Sequence, residues 1–265
     1  MTPKDQPDRD EIFDKVQALF GLPQVHNASS AFDPETCTQI RPLKDAVFMA
    51  IDIEACETDQ SKITEVGIAM LDTRVTRRIS PGEGAAAWTA TILARHYITK
   101  DFIELENTKY VKGGEPGTKQ DFAYGTSQVI SIGKLKNWFR YDLGHPPYPD
   151  GDVKERRPIV LVGHGMQNDL KYLEAMKIRL ESDANVVEKI DTQDLCSYRS
   201  LPASLEAMLS QLGIDTTASH NAGNDAARTL EALVKMVFLN AYYPKMLHDA
   251  LKTTLNPPIT AEDLP

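Results

Sequence analysis

Two uninterrupted apolar runs, AVFMAIDIE (46–54) and ITEVGIAMLDT (63–73), are short and read as buried strands rather than amphipathic helices. The intervening ACETDQSK predicts a hairpin loop that pairs them antiparallel. ATILARHYI (90–98) predicts a third strand. Residues 99 to 128 are less regular, and KGGEPGTKQ (112–120) predicts a flexible loop. The spacing turns helical in SIGKLKNWFRYDL (131–143), through Ile132, Leu135, Trp138, Phe139 and Leu143, and HPPYPDGD breaks it.

RPIVLVGH (157–164) predicts a second strongly buried strand, followed by the helical QNDLKYLEAMKI. A short strand is expected in VVEKIDT (186–192), then helices in SLEAMLSQLG and NDAARTLEALVKMVFLNAYY. At the other end, DEIFDKVQALF (10–20) predicts a short amphipathic helix stopped by Gly21 and Pro23, and a polar linker follows. Residues 244–255 predict a last helix before a loose, Pro-containing tail. Strands that pair first and then alternate with helices predict an α/β fold, a mixed central β-sheet flanked by α-helices. The expected division is an N-terminal helix and linker (1–40), one core domain (41–245) and a C-terminal helix and tail (246–265).

Asp52 and Glu54 change this picture. They end a buried strand and share one of its faces, because side chains alternate with a period of two. Like charges side by side at the end of a core element cost stability unless a cation holds them. Further along, His164 and Asp169 stand five residues apart, as do His220 and Asp225. Spacing alone decides nothing, because His96 with Asp101 and His145 with Asp150 repeat it in four of the 6 histidines. Asp169, however, shares a helical face with Leu173 and Met176, and Asp225 opens a helix with an apolar stripe. The other two pairs have no packed element to aim them inward and are set aside.

Four acids in order, without a cysteine cluster, suit the hard cations Mg²⁺ or Mn²⁺. Such a set can hold two ions roughly 3.5–4 Å apart, one activating water and one steadying the oxygen that departs from a phosphodiester. His220 can take the proton from that water near neutral pH, and its loop position would let it swing over the site. His164 reads as a structural hydrogen-bonding residue, Cys56 as packing and Asp191 as a helix cap.

DIE (52–54), GHGMQND (163–169) and HNAGND (220–225) resemble the three motifs of the DEDDh 3′→5′ exonucleases of the ribonuclease H-like superfamily. ITEVGIAMLDT, NDLKYL, DTQDL and HNAGNDAARTLEAL are similar to the fungal Gfd-type branch, as are RHYI, ELEN and DFAYGTS. The resemblance runs from about Asp45 to Tyr243. It implies Asp52, Glu54 and Asp225 around a first metal, Asp52 bridging to a second, Asp169 nearby and His220 as general base. Glu65 resembles the acidic residue on that fold's second strand. The substrate it implies is single-stranded RNA or DNA with a 3′ end. Ala55, Cys56 and Asn168 stand where many members carry a Thr or Ser and an aromatic that help hold the terminal nucleotide.

Composition narrows the alternatives. Apolar residues at 42% and charged residues at 25% are ordinary for a soluble protein. A net charge of -9 argues against a bulk basic surface that grips nucleic acid non-specifically. It keeps open a hydrolase of short oligonucleotides, and a non-catalytic RNA- or protein-binding module is a further alternative. Lys109, Lys112 and Lys119, or Lys134, Lys136 and Arg140, are candidate phosphate contacts, and Tyr110, Phe122 and Tyr124 candidate stacking groups. The 73–156 segment is the candidate for substrate selection. Three dispersed cysteines, no apolar run of membrane length and a polar start to the chain predict an intracellular protein of cytoplasm or nucleus.

Overall fold

The computed structural model describes residues 9–22, 45–107, 119, 121–144, 157–199, 201–243 and 247. In chain order the elements are α1 (Arg9–Phe20), β1 (Val47–Cys56), β2 (Asp59–Asp72), α2 (Thr73–Thr76), α3 (Ala86–Thr89), β3 (Leu93–Thr99), β4 (Gln128–Ile130) and α4 (Ile132–Gly144). They continue as β5 (Ile159–Gly163), α5 (Gln167–Ala175), α6 (Leu180–Asp183), β6 (Val186–Asp191), α7 (Thr192–Arg199), α8 (Leu205–Gln211) and α9 (Ala222–Tyr242). The polar linker, His145 and Asp150, and the expected C-terminal helix apart from Leu247 lie outside the described residues.

The strands form one six-stranded sheet in the order β4-β3-β2-β1-β5-β6. β1 pairs antiparallel with β2 and parallel with β5, so the sheet is mixed, as expected. Two strand boundaries differ from those the sequence predicts. The hairpin loop expected over ACETDQSK is only a turn at Glu57 and Thr58, because both strands run on through a bulge beside Glu54. The irregular stretch before residue 128 ends in β4, a short strand parallel to β3 that no alternating pattern announces.

The pleat sorts β1 into two cores. Val47, Met49, Ile51 and Ile53 pack with Leu135 and Phe139 of α4 and Leu173 of α5. Phe48 and Ala50 pack on the other face with α1, α8 and α9. Asp52 and Glu54 continue that second set, so the alternation carries them to the α9 side of the sheet. By the same rule Glu65 and Gly67 of β2, and His96 of β3, face α9 too. Registry then lines up Asp52, Gly67 and His96 across three strands.

α9 crosses this face as the main buried helix, with its N-terminus capped by the side chain of Asn221, which accepts from the Asn224 N–H at 3.0 Å. Gly67 is what lets it come so close. A Cβ there would lie 1.8 Å from the Ala222 carbonyl oxygen. The expected core stripe of α4 holds for Leu135, Phe139 and Leu143, whereas Trp138 is 46% exposed.

Candidate active site

Glu54, His220 and Asp225 each bring a ligand-type atom within 4.8 Å of the others. Glu54 comes from the end of β1, and Asp225 from the first turn of α9. The Asp225 carboxylate accepts from the His220 backbone N–H at 2.9 Å through Oδ2, while its Oδ1 is buried without a partner. Asp52 is half-buried, and its Oδ2 is likewise buried and unpartnered. Asp169 is buried in the first turn of α5, where Oδ1 accepts from the Ile53 N–H at 2.9 Å. That bond draws the third acidic element onto β1 between Asp52 and Glu54. The N-cap residue of α5, Met166, makes no side-chain cap bond, and the Asp169 carboxylate is stabilised by its own backbone N–H as well as by that of Ile53.

These carboxylates strain against one another. Burial, followed by the charges of Glu54, Asp225, Asp169 and Glu65, holds Asp52 well above the usual carboxylate range. Glu54 is pushed up to about 8 by burial and by Glu65, Asp225 and Asp169, with Lys119 pulling the other way. Asp169 rises to about 7 through burial, against the Ile53 N–H that stabilises its anion. Burial likewise lifts Asp225 to about 7, opposed by the His220 N–H and the Arg228 charge. The donor set is oxygen with one imidazole, and two of its oxygens have no partner. Such a site fits a hard divalent cation, whose charge would reverse every one of these shifts.

The loop that carries His220 is hydrogen-bonded to the helix that follows it. His220 has a φ of 65° and Ala218 a φ of 52°, both in the left-handed region. Asn224 donates to the Ala218 carbonyl at 3.0 Å. Arg228 donates to the Thr217 carbonyl and to Asp215. Asp225 holds the His220 N–H.

His96, set aside on sequence grounds, is instead buried at the site's edge. Its Nε2 lies 3.0 Å from Glu65 Oε2 and its Nδ1 2.9 Å from Ser127 Oγ. Glu65 also accepts from the Ala222 N–H at 3.3 Å, so the pair joins β2 and β3 to the start of α9. Its partner in spacing, Asp101, only caps α4 by accepting from the Ile132 N–H.

Further groups, Asn107 and Asn224 among them, lie within stretches that resemble the family, but their contacts cannot be read there. Asn107, within ELEN, donates to the Ala55 carbonyl at 2.8 Å and accepts from the Glu57 N–H at 2.9 Å, clamping the strand end beyond Glu54. Asn224 receives the Ala123 N–H at 2.8 Å and donates to the Asp121 carbonyl at 2.8 Å. The Lys119 carbonyl receives Asn221 at 3.1 Å. Asn107, Lys119 and residues 121–124 therefore form a wall of the site, and among the candidate stacking groups Phe122 is packed on His96 while Tyr124 is 40% exposed. Lys109, Lys112 and Tyr110 lie outside the described residues.

His164 contacts Thr192 Oγ1 at 3.0 Å and the Ala203 carbonyl at 2.8 Å, as a structural residue does. Asp191 accepts from the Gln193 N–H as a cap of α7, and from the Gly165 and Met166 N–H groups, bracing the turn that leads to Asp169. Cys56 is buried, with its Sγ 3.2 Å from Thr58 Oγ1.

Several known proteins are similar to this chain. An "Uncharacterized nucleolar protein C2C4.08" of Schizosaccharomyces pombe is 33% identical over 203 residues, covering 71% of this chain and 68% of the relative. "Good for full DBP5 activity protein 2" of Saccharomyces cerevisiae is 27% identical over 257 residues, covering 89% of this chain and 43% of its own length. This chain thus spans less than half of that budding-yeast relative. Among solved structures, an Escherichia coli ExoI–ssDNA complex in its zinc-bound form aligns at a TM-score of 0.45 and 12% identity, over 77% of this chain and 42% of that one. The nuclease domain of 3′hExo, a DEDDh family member bound to rAMP, aligns at 0.43 and 13%, over 75% and 94%. The DEDDh family model described as DNA polymerase III subunit epsilon-like, C-terminal domain, matches residues 47–236, well over half of the chain. On the sheet order, the motif positions and that match, the chain belongs to the DEDDh exonuclease family and has its ribonuclease H-like fold.

Proposed function

We propose that this protein is a metal-dependent exonuclease that hydrolyses the phosphodiester bonds of single-stranded RNA or DNA from the 3′ end. The observation that carries the reading is the pair of buried, unpartnered oxygens, Asp52 Oδ2 and Asp225 Oδ1, beside a Glu54–His220–Asp225 cluster spanning no more than 4.8 Å. A buried polar atom left without a partner costs about 1–3 kcal/mol, more when it is charged. Four carboxylates would not be gathered at that cost without something to hold.

Asp52, Glu54 and Asp225 would hold a first ion, and Asp169 would help hold a second. Two Mg²⁺ or Mn²⁺ ions held there would polarise the phosphate and make a water more acidic. Within that frame the residues of the chain have separate tasks. His220 accepts the proton of the attacking water, its backbone N–H tied to Asp225 so that the imidazole stays in line. Asp169, anchored on the Ile53 N–H, keeps one oxygen free of that bond for the second ion. His164 and Asp191 hold the turn before α5 in shape. Ala55, Cys56 and Asn168 leave the grip on the terminal nucleotide to the wall that includes Asn107 and Lys119.

The proposed domain runs over residues 41–245, between an N-terminal helix with its linker and a C-terminal segment. An intracellular site of action suits it, and the nucleolar name of the fission-yeast relative favours the nucleus. Among the described residues no helix is long and apolar enough to cross a membrane.

A gel time course tests the reading. Single-stranded RNA and DNA labelled at the 5′ end are incubated with Mg²⁺, Mn²⁺ or chelator. A metal-dependent ladder that shortens from the 3′ end is expected. Intact substrate in every metal, with the protein folded, would overturn it.

A further inference from the structure

A groove of about 940 Å³ lies between α5, the helix that carries Asp169, and α6, β6 and α4. Its floor is apolar, with Leu170, Leu173, Ile178 and Leu180. Its rim is cationic: Arg140, Lys177, Arg179 and Lys189 stand against Glu174 and Asp183. Asp183 is already engaged, accepting from Arg140 Nε at 3.2 Å and from the Arg179 backbone N–H at 2.9 Å. Lys177 and Lys189 are exposed and make no ion pair among the described residues. Glu188, beside Lys189, is occupied by Lys15.

We infer that this groove binds a stretch of single-stranded nucleic acid upstream of the end held at the carboxylate site; this rests on the function proposed above. Three observations converge. The chain carries a net charge of -9, so its surface as a whole repels a polyanion. A groove rimmed by the exposed Lys177 and Lys189, with Arg140 and Arg179 beside them, is the reverse of that surface. Cations spaced along a groove suit the successive phosphates of a strand better than a single bare anion. The groove also begins beside the catalytic candidates, since Leu170 follows Asp169. Helix α5 from Leu170 to Ala175 then leads away from it for about 8 Å at 1.5 Å per helical residue.

Fluorescence anisotropy on the full chain in chelator separates binding from catalysis. The probes are 5′-labelled oligonucleotides, one short enough to occupy only the carboxylate site and one long enough to reach the groove. Wild type is compared with Lys177→Glu/Lys189→Glu and with the milder Lys177→Ala/Lys189→Ala, near-UV circular dichroism verifying the fold of each. The expected result is at least tenfold weaker binding of the long strand by the Glu pair, an intermediate loss for the Ala pair, and no change for the short strand. The slope of log affinity against log salt should shrink by about 0.7 for each phosphate that the variant no longer neutralises. Unchanged affinity and slope for the long strand would overturn the inference, as would equal competition by polyglutamate. Failure of the nuclease reading looks different: no cleavage in any metal, with the length-dependent, groove-dependent binding intact.

Discussion

Gly67 of β2 and Ala222 of α9 touch backbone to backbone: a Cβ on Gly67 would stand 1.8 Å from the Ala222 carbonyl oxygen and 2.7 Å from the Gly223 nitrogen. Neither obstacle is a side chain that can turn aside. Gly67→Ala should therefore push the start of α9 off the sheet, carrying His220 and Asp225 away from Asp52 and Glu54. Overpacking of this kind costs about 1–3 kcal/mol. A melting temperature lowered by several degrees, with metal-dependent stabilisation lost, is the expected result. A Gly67→Ala protein that melts and binds metal like wild type would contradict the contact.

Without metal, stability should depend on pH in a direction set by the raised carboxylates. Asp169 and Asp225 near 7, and Glu54 near 8, hold protons in the folded protein that the unfolded chain releases around 4. Within that window the folded state binds more protons, so stability is greatest at its acid end and falls as pH rises towards about 8. Thermal melts in chelator from pH 5 to pH 8 should show a falling midpoint, and Mg²⁺ or Mn²⁺ should restore more at pH 8 than at pH 5. A midpoint that climbs with pH in chelator would refute the arrangement of charges.

Removing one of those charges should separate stability from activity. Asp225→Asn keeps the shape of the side chain while relieving repulsion among buried acids. In chelator at pH 8 its melting temperature should rise by a few degrees, about 2–4 °C per kcal/mol for a domain of this size. Its hydrolytic rate should be lost. A destabilised Asp225→Asn protein would mean that the carboxylate is structural, holding the His220 N–H and little else.

Asn221 caps α9, and its side chain also reaches the Lys119 carbonyl at 3.1 Å. Asn221→Ala removes both. Loss of the cap alone costs about 1 kcal/mol, and the freed 119–127 wall should raise KM more than it lowers kcat. Chemical denaturation and steady-state kinetics on the same preparation check this. A change in kcat alone would place the residue in the chemistry instead of the wall.

How much of this can be read from residues alone follows from the range of the contacts. β1 and β5 announce themselves as apolar runs, and the period of two puts Asp52 and Glu54 on one face before any coordinates. Asp169 and Asp225 are legible because each shares a helix with an apolar stripe. His96 is not: its partners Glu65 and Ser127 come from β2 and from the turn before β4, and the pairing depends on strand registry that no local pattern encodes. Asn107 and Asn224 look like ordinary loop and helix polar residues until the elements close on them. The hydrogen bonds that tie the loop before His220 are hidden for the same reason, since they come from Asn224 and Arg228 on the following helix. The length of the hairpin is hidden because ACETDQSK is polar, yet its residues still satisfy a two-stranded ladder at the edge of the site.

The most direct test of the central claim is the product. An unlabelled single-stranded oligonucleotide is incubated with the protein in Mn²⁺ and sampled at early times by mass spectrometry, beside Asp52→Ala and His220→Ala. Mononucleotides released one at a time from the 3′ end by wild type are predicted, absent with Asp52→Ala and slowed about 10²–10⁴-fold with His220→Ala. Mononucleotides appearing at the same rate in all three proteins would contradict the assignment of this carboxylate cluster as the site of hydrolysis.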